Sequence, residues 1–294
     1  MSSYSSPRLP PELEREIFET AAYVYPEAIL NLLLVSRRVF EWLDGFQYRT
    51  VTRRGARSYC SFQMLSHKIQ SNSKPPSFFS RHVQNLCSVW ADESSMEIEH
   101  LRQILDTCSG IQNLALVQSE ICMAALLPSL EAMKLVRLHF CWCFVPLQVD
   151  PRHSMFSVLT HLVCVDQDHR LAPFLVQLPA LTHLAIIHNS YGLIPRVEED
   201  ILAHCPRLRV FVMDPTVRTF EHMPRLEDVR FLYFDFRDSH GWNGWLAGTR
   251  GERDFWRCAE EFVAKRIRKE IHPYSRCWIE ETDGIEPLTS QRRI

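Results

Sequence analysis

The spacing of apolar residues changes character along this chain. Near the N-terminus, Leu13, Ile17, Phe18 and Ala21 recur at helical intervals among Glu12, Glu16 and Glu19. Leu9-Pro10-Pro11 precedes them. Prolines suit a first helical turn, where their missing N–H has no intrahelical partner to lose. Pro26 biases Tyr25 away from the helical region and ends this helix. A second helix from about Glu27 carries Ala28, Ile29, Leu32, Leu33 and Val35, and a third segment adds Val39, Trp42, Leu43, Phe46 and Tyr48. Helices this short do not stand alone, so residues 7–53 are predicted to form a small bundle.

From residue 81 to 250 the signal is an internal repeat. An apolar Leu-x-x-Leu-x-Leu pattern is read at Val83/Leu86, Ile111/Leu114/Leu116, Leu130/Met133/Leu135, Leu159/Leu162/Cys164, Leu181/Leu184/Ile186, Leu208/Phe211/Met213 and Leu226/Val229/Phe231. Successive starts lie 28, 19, 29, 22, 27 and 18 residues apart, and the two shortest leave barely a turn for a return path. Met96–Cys108 and Val197–Cys205 are the helical returns. A proline sits before several strands, as in Leu127-Pro128-Ser129-Leu130, Leu178-Pro179-Ala180-Leu181, Cys205-Pro206-Arg207-Leu208 and Met223-Pro224-Arg225-Leu226. Each strand needs its apolar side chains covered by the returning segment, and stacked units then share one core. The predicted fold is α/β: a short helical bundle followed by an irregular solenoid with a parallel strand array. An ordinary α/β domain would also alternate strands and helices. The recurring Pro-x-Leu-x-x-Leu grammar favours the solenoid.

In a solenoid the patterned leucines face the core and the residues between them line the concave face. That face is predicted to include Asn113, Ala115 and Val117; Lys134 and Val136; His161, Val163 and Val165; His183, Ala185 and Ile187; Val210, Val212 and Asp214; and Asp228, Arg230 and Leu232. It is more apolar than a solvated face, so either a partner binds there or another part of the chain lies across it. His161 and His183 occupy equivalent positions on adjacent units. They read as structural or partner-facing residues rather than a metal or proton-transfer pair, because neighbouring units offer no matching Cys or carboxylate.

Arg137–Ser157 is read as a loop rich in aromatics, and its Cys141-x-Cys143 is too closely spaced for a zinc pair. A loop over Asp235–Gly251 carries Trp242 and Trp245, either as interface anchors or folded back on the last strand. The amphipathic helix Asp254–Ile271 is expected to close the solenoid end, with a groove for a partner helix as the other reading. The organisation is thus a helical module at 7–53, a linker at 54–80 with one short helix near Ser61–Ile69, repeats at 81–250, a closing helix at 251–273 and a loose polar tail at 274–294.

Composition narrows the function. Hydrophobic residues make up 46% and charged residues 23% of the 294, as in an ordinary folded protein. A formal charge of -2 supplies no basic field for nucleic acid. No stretch approaches the roughly 20 apolar residues of a membrane helix. The first residues lack an apolar signal core, so an intracellular place, cytoplasmic or nuclear, is expected, and the ten cysteines read as buried thiols. No Gly-rich phosphate loop, Gly-x-Ser-x-Gly elbow or His-Glu-x-x-His occurs. Asp166, Asp168 and His169 alone do not make a catalytic site, so no enzyme activity and no cofactor are expected.

Leu9-Pro10-Pro11-Glu12-Leu13, Ile17-Phe18, Leu33-Leu34-Val35-Ser36-Arg37-Arg38, and Trp42 followed by Tyr48 together resemble an F-box in the form abundant in mushroom-forming fungi. The repeats resemble the irregular leucine-rich repeats that often follow an F-box, with the usual asparagine clear only at Asn189. The resemblance implies that Leu9, Pro10, Leu13, Ile17, Leu33 and Val35 form or support a surface for the Skp-type adaptor of a cullin–RING ubiquitin ligase. The span between the first two helices is shorter than in the commoner pattern. The chain would then be a non-catalytic substrate receptor, with an unknown protein on the repeat face near Asn113, Lys134, His161, His183, Arg230, Trp242 and Trp245. The competing readings are a helical cap on the repeats and an interaction scaffold that does not engage the ligase.

Overall fold

The computed structural model describes residues 9–52, 60–89, 95–117, 123–141, 149–166, 171–188, 197–214, 225–236 and 240–285. The N-terminal module contains α1 (Pro11–Val24), a 3-10 turn at Pro26–Ala28, α2 (Ile29–Leu32) and α3 (Arg37–Leu43). Ala22, Ile29, Val39 and Leu43 form its core, with Phe18, Leu32, Leu33 and Trp42 packed against them. Ser36 of the Val-Ser-Arg-Arg segment caps α3, its Oγ accepting from Val39 N at 3.3 Å. A second 3-10 turn, at Phe46–Tyr48, leads into β1 (Thr50–Thr52). The module therefore runs straight into the sheet.

After β1 come β2 (Cys60–Ser61), α4 (Phe62–Gln70), α5 (Pro76–His82), β3 (Asn85–Val89), α6 (Ser95–Thr107), β4 (Asn113–Val117), α7 (Met123–Leu130) and β5 (Arg137–Cys141). The series continues with β6 (His161–Asp166), α8 (Leu171–Leu175), β7 (His183–His188), α9 (Val197–His204), β8 (Val210–Met213) and β9 (Phe231–Tyr233). Among the described residues the strands form one parallel sheet in the order β2-β1-β3-β4-β5-β6-β7-β8-β9. Apart from β2 at the edge, sequence order is spatial order.

Register puts Leu86, Leu114, Leu138, Leu162, Leu184, Phe211 and Phe231 in one row, all buried. Leu65 of α4, Leu101 and Leu105 of α6, Leu126 of α7, Leu175 of α8 and Ile201 of α9 join the same core. Returns packed on one face, with strands added in sequence, make a solenoid-like array. A doubly wound sheet would place its crossovers on both faces.

Two registers differ from the predicted pattern. In the fourth hydrogen-bonded pair Arg137 aligns with Asn113, so β5 places Leu138 and Phe140 in the core. Leu135/Leu138/Phe140 fits the same template as Leu130/Met133/Leu135, and only the neighbouring strand selects between them. With the start moved to Leu135, the spacings of 19 and 29 become an even 24 and 24. Lys134 consequently stands exposed in the turn before β5 and not on the concave face. In the last unit Phe231 pairs with Phe211, so Val229 is exposed and Asp228 takes the place expected for Leu226.

The C-terminal region also departs from expectation. Asp235–Gly251 is not simply a loop, for it contains α10 (His240–Thr249). Gly251, at φ +72°, ends α10 in the left-handed conformation, and Glu252 N bonds back to Ala247 O at 2.9 Å. The following helix, α11 (Phe255–Ile267), is capped by Asp254, whose Oδ1 accepts from Arg257 N at 3.0 Å. It does not close the solenoid end. Its Phe255, Ala259, Phe262 and Val263 lie on Val163, Ala185, Val210, Val212 and Leu232, across the concave face of the C-terminal strands. The apolar stripe of the helix found the apolar face of the sheet.

The sheet end is closed instead by part of the predicted tail. Tyr233 N donates to Cys277 O at 2.6 Å, and Trp278 bridges to Tyr233 in parallel. Arg276, Cys277 and Trp278 are all buried, so this stretch is not loose. Among the described residues no helix is long and apolar enough to cross a membrane.

Candidate interaction surfaces

The N-terminal module is apolar on two sides. Phe18 and Ala22 of α1 face its core, while Leu13, Ile17 and Val24 stand about half exposed on the opposite face. Leu30, Val35 and Phe40 are similarly open, and Leu34 is 85% exposed. Of the fifteen large apolar side chains exposed among the described residues, ten lie between Leu9 and Phe40, which marks this module as a candidate contact surface. Leu9, Pro10, Leu13, Ile17 and Val35 of the predicted adaptor-facing set are exposed, whereas Leu33 is half-buried against the module's core. Leu34, absent from that set, is the most open of all. Arg38 pairs with Glu14 and stacks over Trp42 at 5.3 Å, tying α3 to α1.

On the concave face, one row across the sheet reads Thr50, Asn85, Asn113, Arg137, His161, His183 and Val210. Its first part is a hydrogen-bonded ladder. Asn85 Nδ2 donates to Thr50 Oγ1 at 2.9 Å, and Asn113 Nδ2 to Asn85 Oδ1 at 2.6 Å. Arg137 Nη1 then donates to Asp254 Oδ2 at 2.9 Å, joining β5 to the start of α11. The structure brings His161 and His183 together as stacked rings, centroids 4.1 Å apart, with the Trp256 ring edge-on to both.

The Nδ1 atoms of the pair lie 2.8 Å from the Thr160 and Thr182 hydroxyls, and His183 Nε2 is 3.1 Å from Glu260 Oε1. Burial, the neighbouring His183 and Arg137 push the His161 pKa down to about 2. Burial also lowers that of His183, opposed by Glu260. Burial thus biases both rings toward the neutral form, in which they stack on each other and pack against the Trp256 edge.

The next row reads Thr52, Cys87, Ala115, His139, Val163, Ala185, Val212 and Leu232. His139 is buried, its pKa pushed down to about 4 by desolvation, and among the described residues its Nε2 has no hydrogen-bond partner. It borders a cavity of about 20 Å³ together with His161, Trp245 and Trp256. That is room for about one water molecule, not for an organic ligand.

Arg137, His139, Trp256 and Glu260 were not singled out by the sequence. A repeat spacing of 24 residues would have placed the first two on this face. The latter two depend on where α11 docks.

Arg230 is committed elsewhere. Its Nη2 donates to Leu202 O at 2.8 Å, its Nη1 reaches Cys205 O and Leu208 O at 3.3 Å, and Asp228 pairs with it. It thereby satisfies carbonyls at the end of α9. Trp245 is buried against Cys87 and Ala115, on the N-terminal half of the concave face and not at the last strand. Trp242 is on α10, with its side chain outside the described residues, as are Cys143, Asp168, His169 and Asn189. Among the described residues no group of three or more His, Cys, Asp or Glu is placed to hold a metal ion. No protein-family model matches the chain, and no curated protein matches it either.

Proposed function

We propose that the chain is a non-catalytic substrate receptor that joins a captured protein to a ubiquitin ligase of the Skp–cullin–F-box type. In this reading the module ending near Thr52 is F-box-like and the array behind it is an irregular leucine-rich repeat. The observation that carries the proposal is the concentration of exposed apolar side chains on this one module, centred on Leu13, Ile17, Leu34 and Val35. A helical cap would turn such residues toward the repeats. Here they point away from a core that is already filled by Ala22, Ile29, Val39 and Leu43.

The repeat region then serves as the selecting arm, and the protein does its work in the cytoplasm or nucleus. Because α11 covers His161 and His183, and Arg230 is bound to α9, the captured protein contacts other parts of the array.

The test is co-purification of the full chain with a fungal Skp-type adaptor, beside a Leu13→Asp/Ile17→Asp form. A stable complex is expected for the unaltered chain, with affinity reduced at least about 100-fold in the variant, since two charges replace apolar contacts at the interface. Both positions are exposed, so the variant should retain its thermal midpoint. The second reading is a scaffold that does not engage the ligase. It draws on the short passage from α1 to α2, where only Tyr25 and one 3-10 turn intervene. Absence of binding by the folded, unaltered chain at micromolar concentration would favour it.

A further inference from the structure

The N-terminal module and the C-terminal end of α10 meet at the start of the sheet. A Cβ built on Gly251 would stand 2.4 Å from Tyr23 Oη, so the chain leaving α10 meets α1 with no room for a side chain. At this junction lies a cavity of about 50 Å³. A single water needs roughly 10–15 Å³ on this measure, so the space suits several waters or one small ion. Ala22 and Leu246 contribute apolar walls, while Tyr23, Arg49, Thr249 and Arg250 supply polar groups. None of the residues lining it is acidic.

Arg49, just before β1, stands out. It is half-buried, and its Nε is buried without a hydrogen-bond partner among the described residues. The charge of its guanidinium is compensated there by the face of the Tyr23 ring, 4.9 Å away, and by no carboxylate. A cation that has lost part of its hydration without gaining a counterion is disfavoured. Arg250 brings a second cation to the cavity from a distant part of the chain. Its Nη1 stands 4.0 Å from the exposed Glu252 carboxylate, at the outer edge of an ion pair.

We propose that this cavity binds one phosphate group, held by Arg49 and Arg250 with the Tyr23 hydroxyl, and that the bound group ties the N-terminal module to α10. Charge and size carry the assignment. Near pH 7 a phosphate group carries about two negative charges and three acceptor oxygens. Two guanidiniums on separate segments, each offering a fork of parallel N–H donors, match that pattern. A carboxylate has one charge and occupies one fork. The inference stands on this junction and does not depend on adaptor docking.

Isothermal titration calorimetry on the full-length protein tests it, with ionic strength held constant by sodium chloride. Two probes separate a free ion from a phosphorylated side chain: inorganic phosphate, and an end-blocked tripeptide with a central phosphoserine. At least one is expected to bind with Kd below about 1 mM, and acetate at least about tenfold more weakly. Arg49→Gln is expected to weaken the bound probe about tenfold or more, the usual loss for a charge-assisted hydrogen bond. Tyr23→Phe keeps the ring against Arg49 and removes only the hydroxyl, so it reads the site even where Arg49→Gln fails to fold. It is expected to weaken binding about threefold. Arg102→Gln, on the exposed side of α6, is expected to change nothing. No binding of either probe at about 10 mM would overturn the site. Equal affinity for acetate, or binding that Arg49→Gln and Tyr23→Phe leave unaltered, would overturn it as well.

Discussion

His139, His161 and His183 lie on neighbouring strands beneath α10 and α11, and burial lowers the pKa of each. The charged groups around them are Arg137 on β5, Arg209 before β8, and Glu260 and Asp254 at α11. A histidine whose folded pKa lies below the unfolded value binds fewer protons in the native state, so stability falls as pH drops below the unfolded pKa of about 6.5. The window runs from there to about 4 for His139 and about 2 for His161. At pH 5 the loss should be roughly 2 kcal/mol for each of these two. Urea unfolding at pH 7 and pH 5 checks this, and His139→Leu should flatten the dependence by about one histidine's share. An unchanged acid slope in that variant would remove His139 from the account. The equivalence of His161 and His183 was legible in the sequence because both follow the same leucine by two residues. Their stacking against Trp256 was not, since that contact spans more than seventy residues of chain.

At the scale of the element, α11 is an integral layer of the fold. Phe262 is fully buried between the helix and the strands. Phe262→Ala should cost about 3–5 kcal/mol, the usual loss for truncating a buried aromatic ring, readable as a shift in the urea midpoint. A loss below about 1 kcal/mol would mean that α11 lies on the face without packing into it. The amphipathic stripe of this helix was plain from residue spacing, as was the apolar character of the concave face. Which surface the stripe covers was not, because periodicity specifies a face and not its mate. The same ambiguity produced the register error at β5. Leu130, Met133, Leu135, Leu138 and Phe140 satisfy the repeat template twice, and hydrogen bonding to β4 selects the second solution.

The whole molecule is a three-layer assembly over most of its length: returns α4–α9, the sheet, and the C-terminal helices. A chain ending at residue 252 would lose α11 and the Cys277–Trp278 segment that closes β9. It would expose Val163, Ala185, Val210, Val212 and Leu232 together with an open parallel edge. Such a product should aggregate or elute as large species in size-exclusion chromatography, because a broad apolar face and an unpaired strand edge are both association-prone. A monomeric, cooperatively folding product would instead show the repeats to be self-sufficient. The exposed apolar surface of the N-terminal module is tolerated in the same molecule because it is confined to a few short helices.

Local chemistry determined much of this protein. Helical and strand periods, prolines and the serine cap specify short helices, a parallel repeat and an amphipathic C-terminal helix without reference to distant residues. They also identify Leu13, Ile17 and Val35 as members of an apolar module, though not which side chains turn outward. Tertiary structure alone decided that Leu33 is half-buried while Leu34 is open, that Lys134 leaves the concave face to Arg137, and that α10 and α11 lie across it. The physical reason is that burial and register are properties of pairs of surfaces. A sequence pattern states what a face is made of, while the partner that removes it from water is chosen only when the whole chain packs.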